Sequence, residues 1–531
     1  MPVQDVDSQW NPYPYDDTLP DVSDVTFDHK DKNGNNVKFM WGVATSSYQV
    51  EGNILTNDWD AFTNMGDINS HVNELAAKWF GQVTLKLESP GSAVDHWNLN
   101  IFSQDLQRAK LLGINAYRLS LEWSRIQPKN SSDFDLDAIN HYREMITLIL
   151  QNGMIPILTL NHVTLPKWVL TPPRFTLLLD EDFEMSLKGW ETCDTVNAFV
   201  KFVKFVVPKF MDLVKYWITI NEPVGSVMGA GYLAGVWSPG FNVLTEFLKE
   251  SNAKNVLFNL IDAHVRAYDA IKSLAGDESK VGIAHAMVFP KVFNEPGDFK
   301  KNMEAAIQWD YCFNQFFLDA VIDGIENRDV IHNNKNVIIR DDWKKKLDFV
   351  GINYYRSVYI KSIFPYVPWF GGFFDEDLKT NTTSQHNELN DLGWEIYPGG
   401  LYKFLKHLDK RFGLPILITE NGFAEEFDEL SVGKISSGKR SSYIVAHLEQ
   451  ILHAIKDGVN VLGYLHWSIV DNWEWAYDYL PKARFGLYTV NRSDGSRTKT
   501  SGAAALEYVI RQGKIGDAKA KFGTCDFSGN S

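Results

Sequence analysis

Eight short, almost uninterrupted apolar runs constrain the fold of this 531-residue chain more than any other feature. They are residues 39–44 (FMWGVA), 114–120 (INAYRLS), 154–160 (MIPILTL), 215–221 (KYWITIN), 281–286 (VGIAHA), 348–353 (DFVGIN), 415–419 (PILIT) and 461–467 (VLGYLHW). A run of this length without polar alternation suits a strand buried on both faces, as in a parallel sheet. Helical patterns separate most of them, at 102–113, 137–153, 195–211 and 441–458. Three of these end on a glycine placed to cap the helix: Gly113, Gly153 and Gly458. The alternation predicts an α/β chain folded as a single (β/α)8 barrel, a TIM barrel, with long loops over its C-terminal face. The competing arrangement is two doubly wound domains of about four strands each. The run ends favour the barrel, because Arg118, His162, Asn221–Glu222, Asn353, Glu420 and Trp467 close them. Only a closed barrel gathers every strand end on one face. The connections 53–98 and 355–397 then lie over that mouth. The expected organisation is a polar N-terminal arm over 1–36, the barrel over 37–515 and a tail over 516–531.

Composition removes several function classes. The formal net charge of −15 argues against a nucleic-acid binder, which needs a basic face. Cys193, Cys312 and Cys525 are too scattered for a disulfide framework or a metal knuckle, and no metal or other cofactor is expected. No run of about 18 apolar residues predicts a membrane span. The first residues (MPVQDVDSQWNPYPYDD) have no signal-peptide pattern, so a cytoplasmic location is expected, and the sequons at Asn130, Asn381 and Asn491 read as chance. Gly229-Ala230-Gly231-Tyr232-Leu233-Ala234-Gly235 superficially suggests a dinucleotide loop, but its glycine spacing is wrong and no ribose-binding acid follows a proper strand. The chain is rich in rings, with 17 Trp, 21 Tyr and 33 Phe.

Two segments carry chemistry. Trp217-Ile218-Thr219-Ile220-Asn221-Glu222-Pro223 and Ile416-Leu417-Ile418-Thr419-Glu420-Asn421-Gly422 each end a buried run with a glutamate beside an asparagine. A carboxylate there is costly unless it is paired or used. One such glutamate reads as a salt-bridged rim residue. Two on one rim are what hydrolysis of a glycosidic bond requires.

With Trp467-Ser468-x-x-Asp471-Asn472-x-Glu474-Trp475 and Arg484-Phe485-Gly486-Leu487, these segments occur in an order that resembles glycoside hydrolase family 1, the retaining β-glucosidase-like enzymes. The resemblance runs from about Phe39 to about Tyr508. It implies that Glu222 is the general acid/base and Glu420 the nucleophile of a hydrolase acting through a covalent glycosyl-enzyme. It implies that Arg118 sits by the nucleophile and keeps it ionised, that Tyr355 hydrogen-bonds the same carboxylate, and that Asn221 binds the sugar 2-hydroxyl. Asn353 joins them as a supporting residue. Gln49, His162, Glu474 and Trp475 match the hydroxyl binders of the sugar, and Trp467 its stacking platform. Trp394 and Phe485 fall on the leaving-group side. Glu474 stands where phosphosugar-cleaving relatives bind a phosphate, so the expected substrate is a small unphosphorylated β-glucoside.

Val163, in His162-Val163-Thr164, replaces an aromatic common in the family. That leaves galactosyl, fucosyl and mannosyl substrates open, with transglycosylation through the same two glutamates. A catalytically dead sugar-binding relative is disfavoured, because both glutamates are present. The apolar stretch 363–374 falls in a mouth loop, as either a small satellite core or a wall for apolar leaving groups. The oligomeric state is not readable.

Overall fold

The computed structural model describes residues 12–15, 19–64, 88–172, 186–235, 237–240, 250–293, 298–328, 330, 337–362, 371–373, 388–426 and 438–523. Eight strands form a closed parallel barrel: β1 (Met40–Ala44), β2 (Ala116–Ser120), β3 (Ile155–Asn161), β4 (Tyr216–Asn221), β5 (Lys280–Ala286), β6 (Phe349–Asn353), β7 (Ile416–Asn421) and β8 (Val461–Trp467). Each pairs with its neighbours in sequence. β8 closes the ring on β1, with Gly463 opposite Met40 and Trp467 opposite Ala44. These are the eight expected runs, shifted by at most two residues at an end. Two separate sheets are excluded.

The apolar runs are buried on both faces because the barrel has two cores. Met40, Ala116, Ile157, Ile218, Phe349, Leu417 and Leu465 fill the interior. Gly282 lets the ring of Phe349 cross that interior, since a Cβ there would meet the ring at 2.5 Å. Outside, helices cover the strands. In Cys193–Phe210, Val196, Phe199, Val203, Val206, Val207 and Phe210 are fully buried, at the three- and four-residue spacing of one helical face. The helices Leu99–Leu111, Leu136–Gln151 and Lys439–Lys456 are followed by Gly113, Gly153 and Gly458, all with φ between 77° and 88°. That left-handed geometry costs glycine least.

The described part of the N-terminal segment lies against the barrel. The Tyr13 ring is buried edge-on to Phe404 and donates its hydroxyl to Asp310 at 2.7 Å. Phe27 packs on Phe39 and Trp41, and its backbone N–H donates to Gly513 O. Among the described residues no helix is long and apolar enough to cross a membrane. Most of 363–374 lies outside the described residues. Within it, Gly371–Phe373 forms a strand on Ser357–Ser362, which also pairs with Phe289–Val292.

Candidate active site

Parallel strands deliver their last residues to one rim, and there the sequence places its polar groups. Arg118, midway along β2, is fully buried and reaches across the barrel. Its guanidinium donates to Thr159 Oγ1 on β3 (3.0 Å), Asn221 Oδ1 on β4 (2.6 Å), and both Thr419 O (3.2 Å) and Glu420 Oε1 (2.6 Å) on β7. Tyr355 donates its hydroxyl to the other oxygen of Glu420 at 2.8 Å. Asn353, ending β6, donates to Asn221 Oδ1 (3.2 Å) and Glu222 Oε1 (2.8 Å), while its own oxygen accepts from Thr419 at 2.7 Å. One network therefore holds both glutamates through residues at or near the ends of five strands.

Glu222 follows β4 directly with φ 47° and ψ 54°, a left-handed conformation unusual for a residue with a side chain. The turn ends the strand and starts a π-helix, Pro223–Leu233. Extended π-helices are rare and cluster at functional sites. Ser226, four residues after Glu222, donates its hydroxyl to Glu222 Oε2.

Both carboxylates line a cavity of about 330 Å³. On one side stand the expected sugar binders. Gln49 Nε2 donates to Trp473 O (2.7 Å), Asn472 Oδ1 (3.2 Å) and Glu474 Oε2 (3.3 Å), and the Trp467 indole N–H reaches the same Glu474 oxygen at 3.4 Å. His162 lies nearly parallel to Trp467 (23°) and Trp475 (10°). Because Asn221 Oδ1 accepts from Arg118 and Asn353, its Nδ2 is the donor to His162 Nε2 at 3.1 Å. The His162 proton then belongs on Nδ1. Burial, aided by the Arg118 charge, holds this histidine well below its usual range, so it is neutral. Among the described residues its Nδ1 and Gln49 Oε1 are buried without hydrogen-bond partners, one a donor and the other an acceptor.

The opposite side holds Trp394, Phe485 and Tyr355, three rings with centroids 5.8–6.0 Å apart beside Glu420. The structure thus brings together every candidate named from the sequence. It also adds residues that sequence reasoning missed. Trp237 stacks on Trp475 at 5.2 Å and 27° and packs in one cluster with Val163, supplying an aromatic wall beside the valine. Trp309, Phe313 and Ser226 line the cavity too. None carries a strand-end signature. The rejected glycine run 229–235 overlaps the second half of the π-helix, so its one readable signal belonged to the cavity wall.

At Glu420 the Arg118 cation favours the ionised form and burial works against it. Burial pushes Glu420 up to about 7, against the downward pull of Arg118 and with the charge of Glu222 adding to the rise. Arg118 opposes the shift without cancelling it. Burial likewise pushes Glu474 up to about 8, with Glu420 and Glu222 raising it further and Trp467 and Gln49 lowering it. A folded-state value above the unfolded one, near 4.5, means the fold binds that proton more tightly. The contribution to stability is then complete below about pH 4.5 and lost as pH rises through about 8. Glu474→Gln is accordingly expected to raise Tm relative to the parent at pH 9 and to give no such gain at pH 5, checked by calorimetry at both pH values.

The sequence profile of Glycosyl hydrolase family 1 matches residues 33–513. The chain belongs to this family. Curated relatives include Beta-glucosidase A of Acetivibrio thermocellus, 31% identical over 85% of this chain and 93% of the relative. A Beta-galactosidase of Pyrococcus woesei is also 31% identical, over 86% and 92%. Among solved structures, the β-glycosidase of Thermosphaera aggregans superposes with a TM-score of 0.73 at 26% identity, covering 92% of this chain and 99% of that one. The family 1 β-glucosidase of Thermotoga maritima, in complex with isofagomine lactam, gives 0.71 at 27%, covering 90% and 98%. This family 1 chain is therefore a β-glycosidase with a barrel of the family type.

Proposed function

We propose that the chain is a retaining exo-β-glycosidase that releases terminal unphosphorylated β-D-glucosyl residues. Glu420 acts as nucleophile and Glu222 as acid/base. The observation that carries this reading is the division of hydrogen-bond partners between the two carboxyls. Glu420 is held by a guanidinium and a phenol, which fix it for attack on the anomeric carbon. Glu222 is held by an amide and a hydroxyl, with no cation bonded to it among the described residues, which suits a group that must gain and lose a proton. In the first step Glu420 forms the bond to the anomeric carbon while Glu222 protonates the departing oxygen. In the second, Glu222 takes a proton from water, which displaces Glu420. Asn221, fixed by Arg118 and Asn353, presents its amide toward the 2-hydroxyl. Contacts there tighten as the oxocarbenium-like state develops.

The side-chain partners of Glu474 among the described residues are Gln49 and Trp467, with no lysine or arginine to neutralise a phosphate. Above about pH 8 its charge adds direct repulsion. The role of Glu420 requires its ionised form, so kcat/KM is expected to fall as pH drops below about 7 in a pH–rate profile. With three carboxyls in one cavity, that midpoint belongs to the coupled group.

The test is hydrolysis of a panel of nitrophenyl β-glycosides followed by proton NMR of the first-formed sugar. A β-anomer released fastest from the glucoside supports the reading. An α-anomer, or a preference for mannoside, overturns it.

A further inference from the structure

Ser226 is tied twice to Glu222, once through its backbone and once through its side chain. Its N–H donates to Glu222 O at 3.2 Å, and the Val227 N–H shares that carbonyl at 3.1 Å. The π-helix thus opens with two bonds that end on Glu222. This winding sets the Ser226 side chain against the Glu222 carboxyl, where its hydroxyl donates to Oε2. The turn has little room to shift. The Glu222 N–H donates to Ala284 O on β5 at 2.7 Å, and a Cβ at Gly225 would stand 3.1 Å from the Ala286 methyl. Ser226 itself is 6% exposed and borders the cavity.

The two oxygens of the carboxyl meet unlike partners. Oε1 accepts from the Asn353 amide, which is held as a donor because its Nδ2 also donates to Asn221 Oδ1 while its oxygen accepts from Thr419. Oε2 meets a hydroxyl, which donates to a carboxylate and, after rotating, accepts from a carboxylic acid. An acid/base alternates between those two forms in every cycle. A partner able only to donate would oppose a proton on Oε2, and one able only to accept would repel the carboxylate. We infer that Ser226 is a positioning residue that keeps the Glu222 carboxyl in one orientation through both protonation states. The inference rests on the acid/base reading of Glu222 above. The proton that Glu222 gives to the departing oxygen is replaced by one from water as the bond to Glu420 breaks, and Ser226 keeps its own proton throughout.

The test removes the hydroxyl with Ser226→Ala and reads two substrates. The alkoxide of 2-phenylethyl β-glucoside needs a proton to leave, whereas the phenolate of 2,4-dinitrophenyl β-glucoside departs with little protonation. In Ser226→Ala, kcat/KM is expected to fall at least about five times more for the phenylethyl than for the dinitrophenyl glucoside. Both substrates are measured on the same preparation, so a smaller folded fraction cancels. Ser226→Thr keeps the hydroxyl and is expected to recover part of the loss. In a Glu222→Gln background there is no acid proton to position, so adding Ser226→Ala is expected to leave the ratio of the two substrates within about two-fold of its value in Glu222→Gln alone.

Equal losses on the two substrates in Ser226→Ala overturn the assignment. So does a ratio that falls as far in the Glu222→Gln background as in the parent, since the serine would then act through some other group. The two readings fail differently. If Glu222→Gln discriminates strongly between the leaving groups and Ser226→Ala does not, the inference about Ser226 falls alone. If Glu222→Gln itself does not discriminate, the acid/base reading falls and takes the inference with it.

Discussion

Glu420→Gly is expected to lose turnover by a factor on the order of 10⁴ to 10⁶, the range seen when a covalent nucleophile is removed. The loss is chemical and not a failure to bind. The proposed sugar-binding groups Gln49, His162, Trp467 and Glu474 belong to other elements, and their mutual contacts do not pass through Glu420. Arg118 remains tied to Asn221 and Thr159. Removing the side chain leaves a small space beside a guanidinium and a phenol, which suits a small anion. Added azide or formate should therefore restore part of the activity on activated aryl glucosides. Azide entering from the nucleophile's face makes a single displacement, so the product should be the α-glycosyl azide. A β-azide, or a variant as active as the parent on 2-phenylethyl glucoside, would sink the assignment.

Much of this architecture was legible because its signals are local. A strand buried on both faces needs an apolar run, and a parallel barrel needs eight of them. Each run end can then be searched for a polar residue that would be costly anywhere but at a rim. Asn221, Glu222, Asn353 and Glu420 satisfy that rule, and the structure ties them with Arg118, midway along β2, into one hydrogen-bond network. The family motifs added Gln49, Glu474 and Trp475, which no periodicity could have ranked.

What was not legible depends on geometry that sequence spacing does not encode. Val163 read as a missing aromatic, whereas Trp237 stands beside it on a different connection, stacked on Trp475. The segment after Glu222, rich in small residues, folds as a π-helix that begins at the left-handed turn of Glu222 and packs closely on Phe313 at Gly229, an arrangement that sequence spacing does not encode. The balance at Glu420 was illegible for a related reason. An arginine in the sequence is visible, while the desolvation that outweighs it requires the closed barrel.

Glu222→Gln separates the two steps of the proposed mechanism. Glutamine fills nearly the same volume and keeps an oxygen for the Asn353 amide, so the cavity is expected to persist. It cannot give up a proton to the leaving oxygen, and it cannot take one from water. The first defect matters in proportion to how much help the leaving group needs. Turnover of 2-phenylethyl glucoside should fall by about 10²- to 10⁴-fold, the usual contribution of a positioned acid. A 2,4-dinitrophenyl glucoside should still form the glycosyl-enzyme rapidly. The second defect then dominates, and the trapped intermediate should appear as a burst of dinitrophenol followed by slow release, with a glycosyl adduct on Glu420 detectable by mass spectrometry. Azide needs no general base, so it should accelerate the slow phase and yield the β-glycosyl azide, opposite in configuration to the product from Glu420→Gly. The two azide products form a pair of controls. Only a double displacement with Glu420 on one face and Glu222 on the other gives α from one variant and β from the other. A uniform loss on both substrates without a burst would show that Glu222 is not the proton donor.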